Sequence, residues 1–407
     1  MRRLASRALD GGTLSDLRGV SRLVVGAVAG ATDIVEDMHR NIMRISPIVG
    51  AAPAGRTRGI TGLVYRSVRG VTNAVGFGLD AAMGQVEPLL RDSRLRSPRR
   101  EALVAALNGV MGDHLAASEN PLAIRMHLRQ RGGPVVLDRN VLAASGEAGS
   151  RVLLLVHGLC MSDEWTRGGH DHGALLAQEL GYTPIYLRYN SGRNISTNGR
   201  EFAAILDRLV QEWPVPITDL AIVGHSMGGL ISRSAHHYGV QAGHAWPHLL
   251  DKLVFVGTPH HGAPLERVGN RFNLLLGISP YTAPLTRLGR IRSAGVTDLR
   301  FSNLLDEDWR VGCADRTHDS RQPLPLPEDV RCYAIAATLQ SEIEARGSGL
   351  PGDGLVPVPS ALGQHEEDAR ALRIPSARQS IFYGLSHLDL LRSRAVFDQI
   401  HSWLAEA

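Results

Sequence analysis

Apolar positions in the first part of the chain recur every three or four residues. Leu17, Val20, Val24, Val28, Ala31, Val35, Met38, Ile42 and Ile45 fall on one helix face. Ser46-Pro47 through Pro53-Ala54-Gly55 breaks the chain. Ile60, Val64, Val68, Val71, Val75 and Leu79 then restart the same period, so an antiparallel helical hairpin is predicted. Small residues four apart, Gly26 and Gly30, then Gly70, Ala74, Gly78 and Ala82, would let the two backbones approach closely. Such ladders are commonest in membrane helices, but Asp33, Arg66, Arg69 and Asp80 argue against a span. The hairpin is read as packed on the rest of the protein, with peripheral contact to a lipid surface as the alternative.

Residues 88–131 read as a connector with two short helical patterns, Ala102–Met111 and Leu122–Leu128. Strand signals begin at Pro134–Leu137. Val152–Val156 is a continuous apolar run suited to a strand buried on both faces. A helix at Leu175–Leu180, a strand at Pro184–Tyr189, a helix over Asn198–Trp213, a strand at Leu220–Val223, a helix at Leu230–Tyr238 and a strand at Lys252–Val256 follow. This cadence predicts an α/β architecture, a mostly parallel sheet covered by helices. Residues 264–328 break the rhythm. Strands resume at Val330–Ala336 and Gln379–Tyr383, and a last helix runs over Leu388–Leu404. The predicted organisation is a helical N-terminal extension over 1–132 and a catalytic domain over 133–407, with 264–328 inserted as a cap. That insertion carries Phe272, Leu274, Leu275, Leu276, Ile278 and Tyr281, apolar enough to face a lipid chain.

Composition narrows the classes. The chain has 407 residues, 43% hydrophobic and 21% charged, enough to bury a sizeable core and too apolar for a disordered chain. No stretch of about 18 uninterrupted apolar residues marks a membrane span. Three cysteines cannot form a disulfide framework, although Cys313 and Cys332 could close one loop. Net charge is +4, and Lys252 is the only lysine. Residues 1–100 carry 16 arginines against 8 acids, a basic N-terminal part that could touch an anionic surface. No aromatic-interleaved basic motif accompanies it, so nucleic acid is not expected as a partner. Met1-Arg2-Arg3 and Leu23–Ala31 resemble a signal peptide only faintly, because Arg18 and Arg22 interrupt the run and no cleavage site closes it. A cytoplasmic or membrane-peripheral location is expected over secretion.

The chemistry centres on Gly224-His225-Ser226-Met227-Gly228. This G-x-S-x-G sits between a predicted strand and a predicted helix. There the serine occupies a sharp, strained turn, and the glycines let strand and helix pack around it. The turn would aim the Met227 amide and the helix N-terminus at the same point as Ser226 Oγ. A nucleophilic serine needs a base, and the base an orienting carboxylate. In chain order, Asp353 in Gly352-Asp353-Gly354-Leu355 and His387 in Gly384-Leu385-Ser386-His387 each follow a predicted strand end, where such sheets place catalytic groups. Val156-His157-Gly158-Leu159 ends the early strand, and the Leu159 amide is read as the second oxyanion donor beside Met227. His157 and His260 are carried as candidate substrate-binding residues, His157 as a loop-structuring group and His260 as pocket lining or packing. Cys160 lacks an elbow and is read as packed.

Taken together, residues 133–405 resemble an α/β-hydrolase of the bacterial lipase and esterase branch. The resemblance rests on Val156-His157-Gly158-Leu159, on Gly224-His225-Ser226-Met227-Gly228-Gly229, on Val256-Gly257-Thr258-Pro259-His260-His261-Gly262, and on the loops at Asp353 and His387. Tyr189-Asn190-Ser191-Gly192 through Ser196-Thr197-Asn198-Gly199 is also similar to lipase-like deacylases that act on lipid anchors. The resemblance implies an α/β-hydrolase fold and hydrolysis of carboxylic esters, lipid-like ones included, with no cofactor. In some calcium-dependent lipases of this branch the aspartate two residues after the histidine binds calcium. Asp389 stands there, but Ser393 replaces the glutamine expected six residues after the histidine, so no metal is expected. The hairpin is not part of the usual lipase pattern.

Other groups have plainer readings. Gly169-His170-Asp171-His172-Gly173 is read as a helix start, since histidines two apart do not share a helix face. His236 and His237 read as structural. Three alternatives to an ester hydrolase stay open: an acyltransferase on the same triad, an amide or thioester hydrolase, and a catalytically idle binding protein that keeps the fold. The intact set of Ser226, Asp353 and His387 argues against the last, and a missing hydrogen bond between Ser226 and His387 would revive it.

Overall fold

The computed structural model describes residues 98–162, 171–263, 293–309, 319–342 and 351–406, together with Arg18, Gly19, Ser21 and Arg22. Apart from those four residues, the predicted hairpin lies outside the described residues, as do Phe272–Tyr281 of the expected cap, His170 and Cys313. The chain divides into two bodies. The first comprises 1–97 and 117–123. Within it Asn120 Nδ2 donates to the Gly19 carbonyl at 2.9 Å, and Arg22 Nη1 donates to the Glu119 carbonyl at 2.7 Å.

The second body comprises 98–116 and 124–407. Its frame is an eight-stranded sheet of β1 (His127–Gln130), β2 (Gly133–Pro134), β3 (Arg151–Val156), β4 (Thr183–Arg188), β5 (Asp219–His225), β6 (Leu250–Val256), β7 (Arg331–Thr338) and β8 (Gln379–Tyr383). The order across the sheet is β2-β1-β4-β3-β5-β6-β7-β8. Strands β3 to β8 pair parallel, and β1 runs antiparallel to both β2 and β4. The helices are α1 (Pro98–Ala117), α2 (Arg139–Ser145), α3 (His172–Leu180), α4 (Ile195–Glu212), α5 (Met227–Gln241), α6 (Ala294–Asp298), α7 (Val358–Ala361) and α8 (Arg394–Ala405). Among the described residues no helix is long and apolar enough to cross a membrane.

The unbroken apolar run of β3 has its reason in this arrangement. Val152, Leu154 and Val156 join a core with Phe202 and Leu206 of α4 and Leu230 and Ile231 of α5. Leu153 and Leu155 point the other way, into a core with Leu176 of α3 and Phe397 and Trp403 of α8. Each such side chain taken from water contributes roughly 1.5–3 kcal/mol. The first residues of the parallel strands carry an ion network. Arg151 Nη2 lies 2.9 Å from Asp219, Lys252 Nζ 2.6 Å from Asp251, and Arg331 Nε donates to Asp251 at 3.0 Å. This satisfies the charges at one end of the sheet. The opposite, C-terminal ends align in register, Val156 beside Gly224 and His225 beside Val256.

Several expectations change. The helical pattern at Leu122–Leu128 is not a helix in the structure; β1 takes its last two residues into the sheet. The turn at Arg131 and Gly132, both at positive φ, folds β1 against β2, and pairing with β4 holds it. The strand expected over Pro134–Leu137 shrinks to two residues, and Val136 is 55% exposed. The boundary expected at 132/133 falls inside this hairpin, and α1 up to residue 116 belongs to the sheet-bearing body. The last helix starts at Arg394, because a 3₁₀ turn at Asp389–Leu391 precedes it and Ser393 Oγ caps it. Cys332 is a buried free thiol.

Candidate active site

Ser226 links β5 to α5 with φ 54° and ψ −125°, outside the regions a non-glycine residue ordinarily adopts. Its amide donates to the Val256 carbonyl at 2.9 Å and its carbonyl accepts from Gly229 N at 3.1 Å, which locks the turn. The flanking glycines are required by contact. A Cβ on Gly224 would stand 2.6 Å from Gly229 N, and one on Gly228 would stand 2.7 Å from the His157 carbonyl oxygen. Ser226 is buried, with 8% of the residue exposed.

Asp353 and His387 come from loops after β7 and β8. His387 Nδ1 lies 2.7 Å from Asp353 Oδ2, and the His387 amide donates to the Asp353 carbonyl at 3.0 Å. The other carboxylate oxygen, Oδ1, accepts from the amides of Leu355 and Val356 at 2.9 and 2.8 Å. The carboxylate therefore has one orientation, and it fixes that of the imidazole. The His387 ring lies beside Gly257, the residue after the one that accepts the Ser226 amide. Among the described residues no hydrogen bond joins Ser226 Oγ to His387.

The loop after β3 abuts the serine. A Cβ on Gly158 would stand 3.0 Å from Ser226 Cβ. Met161 N donates to the Gly158 carbonyl at 3.4 Å, closing a turn whose third residue, Cys160, has φ 59°. The Cys160 amide donates to Ser191 Oγ. The amides of Leu159 and Met227 find no acceptor among the described residues. Met227 is the first residue of α5, where a helix leaves its amides unpaired and its dipole is positive. A hydroxyl on a strained turn, a carboxylate-oriented imidazole and amides at 159 and 227 that find no acceptor among the described residues are parts that acyl transfer can use.

A mostly parallel sheet with one antiparallel strand, a strand–serine–helix turn at the C-terminal end of β5, and the order serine, aspartate, histidine define one architecture. The fold is that of the α/β-hydrolases. A family described as Domain of unknown function (DUF7379) matches residues 133–297. No curated protein matches the chain in sequence. Similar solved structures include the mature form of the Bacillus licheniformis lipase BlEst2, at 19% identity over 62% of this chain and 91% of that one, with a TM-score of 0.41. Aspergillus fumigatus lipase B aligns at 14% identity over 71% of this chain and 57% of that one, with a TM-score of 0.38. Phospholipase PlaB from Legionella pneumophila aligns at 16% identity over 64% and 60%, with a TM-score of 0.40.

Within this hydrolase fold, the two histidines carried as substrate-binding candidates sit inside the protein. The His157 ring is fully buried, stacked on Tyr189 with centroids 4.3 Å apart, and its carbonyl accepts from Tyr189 Oη at 2.6 Å. It braces the loop after β3. His260 is equally buried, edge-on to Phe255 at 4.5 Å, with Nδ1 3.3 Å from Arg233 Nη1. Its neighbour His261 has Nδ1 2.8 Å from Arg321 Nη2. Burial, and the charge of Arg233 beside it, holds His260 well below the usual imidazole range; burial, with Arg321 beside it, brings His261 to about 3. Both serve as neutral acceptors for buried guanidinium groups. Desolvation pushes the Cys160 thiol up to about 12, which makes it a poor nucleophile. Asp389 is engaged by the Ser386 amide at 2.9 Å and by Arg392 Nε at 2.8 Å. Asp171 caps α3, accepting from Gly173 N at 2.9 Å, so His172 stands at a helix start.

Sequence reasoning missed three contributors. His225 packs its ring against that of His387, centroids 4.7 Å apart, with Nε2 3.2 Å from the His387 carbonyl. Gly257 and Ser191 stood in the quoted motifs without an assigned role. Positive φ at Cys160 and the Ser191 hydroxyl are tertiary facts, but the histidine directly before the nucleophile was visible in the motif.

Proposed function

We propose that the protein is a serine hydrolase that cleaves carboxylic esters, lipid-like ones included, through an acyl-enzyme on Ser226. The observation that carries this reading is the 2.7 Å pairing of His387 Nδ1 with a fully satisfied Asp353 carboxylate beside the Ser226 elbow. His387 Nε2 takes the Ser226 proton as Oγ attacks the ester carbonyl carbon. The amides of Leu159 and Met227 receive the oxyanion, and Asp353 holds the imidazole tautomer and stabilises the imidazolium. On collapse, His387 returns the proton to the departing alcohol. Water, deprotonated by the same imidazole, then attacks the acyl-enzyme and releases the carboxylic acid and free Ser226. The Ser226–His387 hydrogen bond forms with substrate in place, as such bonds often do. The apolar residues of 264–328 favour an aliphatic acyl chain, and the basic N-terminal segment favours peripheral contact with an anionic lipid surface.

One observation favours a second reading, an idle binding protein: the hydroxyl and the imidazole share no hydrogen bond in this arrangement. A fluorophosphonate probe separates the two. It is expected to label the native chain at Ser226 and to leave Ser226→Ala unlabelled. The same variant should lose roughly 10⁵–10⁶-fold in kcat on p-nitrophenyl esters. No labelling, or labelling at another residue, overturns the hydrolase reading.

A further inference from the structure

The turn that carries Leu159 is held from two sides at Cys160. On one side the Cys160 amide donates to Ser191 Oγ at 3.1 Å. On the other, α1 comes so close at Gly109 that a Cβ there would stand 2.9 Å from both the Cα and the N of Cys160. Ser191 is 1% exposed and belongs to a loop that is itself anchored. Asn190 Nδ2 donates to the Gly112 carbonyl of α1 at 2.8 Å, Asn198 Nδ2 to the Asn190 carbonyl at 2.9 Å, and Gly295 N to the Gly192 carbonyl at 3.0 Å. Cys160 meanwhile keeps φ at 59°, a conformation that persists in a non-glycine residue only when the surroundings enforce it. A four-residue turn of this kind relaxes by rotating its central peptide, here the one between Leu159 and Cys160. The N–H of that peptide is the group Ser191 holds.

We propose that Ser191 is a positioning residue for the oxyanion hole. Its hydroxyl accepts the Cys160 amide and so prevents rotation of the Leu159–Cys160 peptide. The preceding amide, that of Leu159, then stays aimed at the carbonyl oxygen of the substrate, and α1 at Gly109 is the backstop against which the turn is pressed. Ser191 touches no reacting atom and acts through Leu159. The proposal rests on the acyl-transfer reading of Ser226.

The test compares the full chain with Ser191→Ala, Ser191→Thr and Gly109→Ala on p-nitrophenyl butyrate and on its thionoester, in which sulfur, a poor hydrogen-bond acceptor, replaces the carbonyl oxygen. An oxyanion donor is worth about 10²–10³ in kcat, so a mispositioned one should cost Ser191→Ala about 10–100-fold on the ester. KM should stay near the wild-type value. The ratio of kcat on the ester to kcat on the thionoester should fall at least several-fold, because the lost stabilisation belongs to the oxygen. Ser191→Thr, which keeps a hydroxyl, should recover most of both, and Gly109→Ala should lower the ratio from the opposite side. A wild-type ratio in Ser191→Ala overturns the proposal, whether kcat is unchanged or reduced. Should that variant not fold, the ratio in Gly109→Ala decides in the same way. A native chain that hydrolyses neither ester overturns the acyl-transfer reading itself, and the proposal with it.

Discussion

Asp353 and His387 are joined twice, once by the carboxylate and imidazole at 2.7 Å and once by the His387 amide on the Asp353 carbonyl at 3.0 Å. The double link fixes the ring by its backbone and its side chain together. Replacing Asp353 by Asn keeps the shape but offers the imidazole a donor or a weaker acceptor, which favours the wrong tautomer. Asp353→Asn is expected to lower kcat by roughly 10³–10⁴ with KM little changed. Steady-state kinetics on a p-nitrophenyl ester would check this, and retention of more than about a tenth of wild-type kcat would count against the assignment. Asp353→Ala should in addition leave the Leu355 and Val356 amides without their acceptor and lower the melting temperature.

Gly257 is the neighbour that His387 cannot spare. It adopts φ 60°, and a Cβ there would stand 3.3 Å from His387 Cε1 and Nδ1 and 2.8 Å from Leu390 Cδ1. Gly257→Ala should therefore displace the imidazole and strain the backbone, at about 1–3 kcal/mol of stability. Thermal unfolding and kcat should fall together, and a variant with wild-type values of both would show that the ring has room to move.

Lys252, the only lysine, is 1% exposed with its ammonium 2.6 Å from Asp251. Amine acylation of the native protein should therefore spare residue 252 and reach it on unfolding. Peptide mapping after treatment with an N-hydroxysuccinimide ester, with and without denaturant, would read this directly. Rapid modification of the native chain at Lys252 would mean that this end of the sheet opens.

Asp298 sits fully buried, its Oδ2 accepting from Ile195 N at 2.8 Å at the start of α4. Burial raises its carboxyl well above the ordinary range, against the lowering effect of the hydrogen bonds it accepts. The folded state then keeps a proton that the unfolded state releases above about pH 4. Its contribution to stability is present at low pH and is lost as pH rises through the raised value. Asp298→Asn keeps an acceptor for Ile195 and carries no ionisable proton. Its melting temperature should drop less than that of the wild type between pH 5 and pH 8. Parallel pH dependences would show that Asp298 is ionised in the folded protein.

Elements were legible where hydrophobic period and length agreed. Val152–Val156 and Gln379–Tyr383 carry their own strand signal, and both lie within strands of the structure. The edge strand His127–Gln130 was not legible, because four residues of mixed polarity become a strand only by pairing with Tyr186–Arg188. The extent of α1 was understated at its C-terminal end, where Gly112, unfavourable in an isolated helix, lets Asn190 approach. His157 and His260 are carried as substrate-binding candidates, with loop-structuring and packing as their plainer readings; strand position does not say which side of a loop a ring takes, and burial favours the plainer readings.

The primary structure alone determined the parallel architecture, the strand–serine–helix turn and the chain order of Ser226, Asp353 and His387. These depend on local period and on glycines next to one residue, which are properties of neighbouring positions. Tertiary structure decided that residue 353 orients residue 387, that Ser191 reaches the Cys160 amide 31 positions away, and that His157 and His260 face inward. Those contacts join segments far apart in the chain, and their geometry exists only once the sheet has set its strand ends side by side.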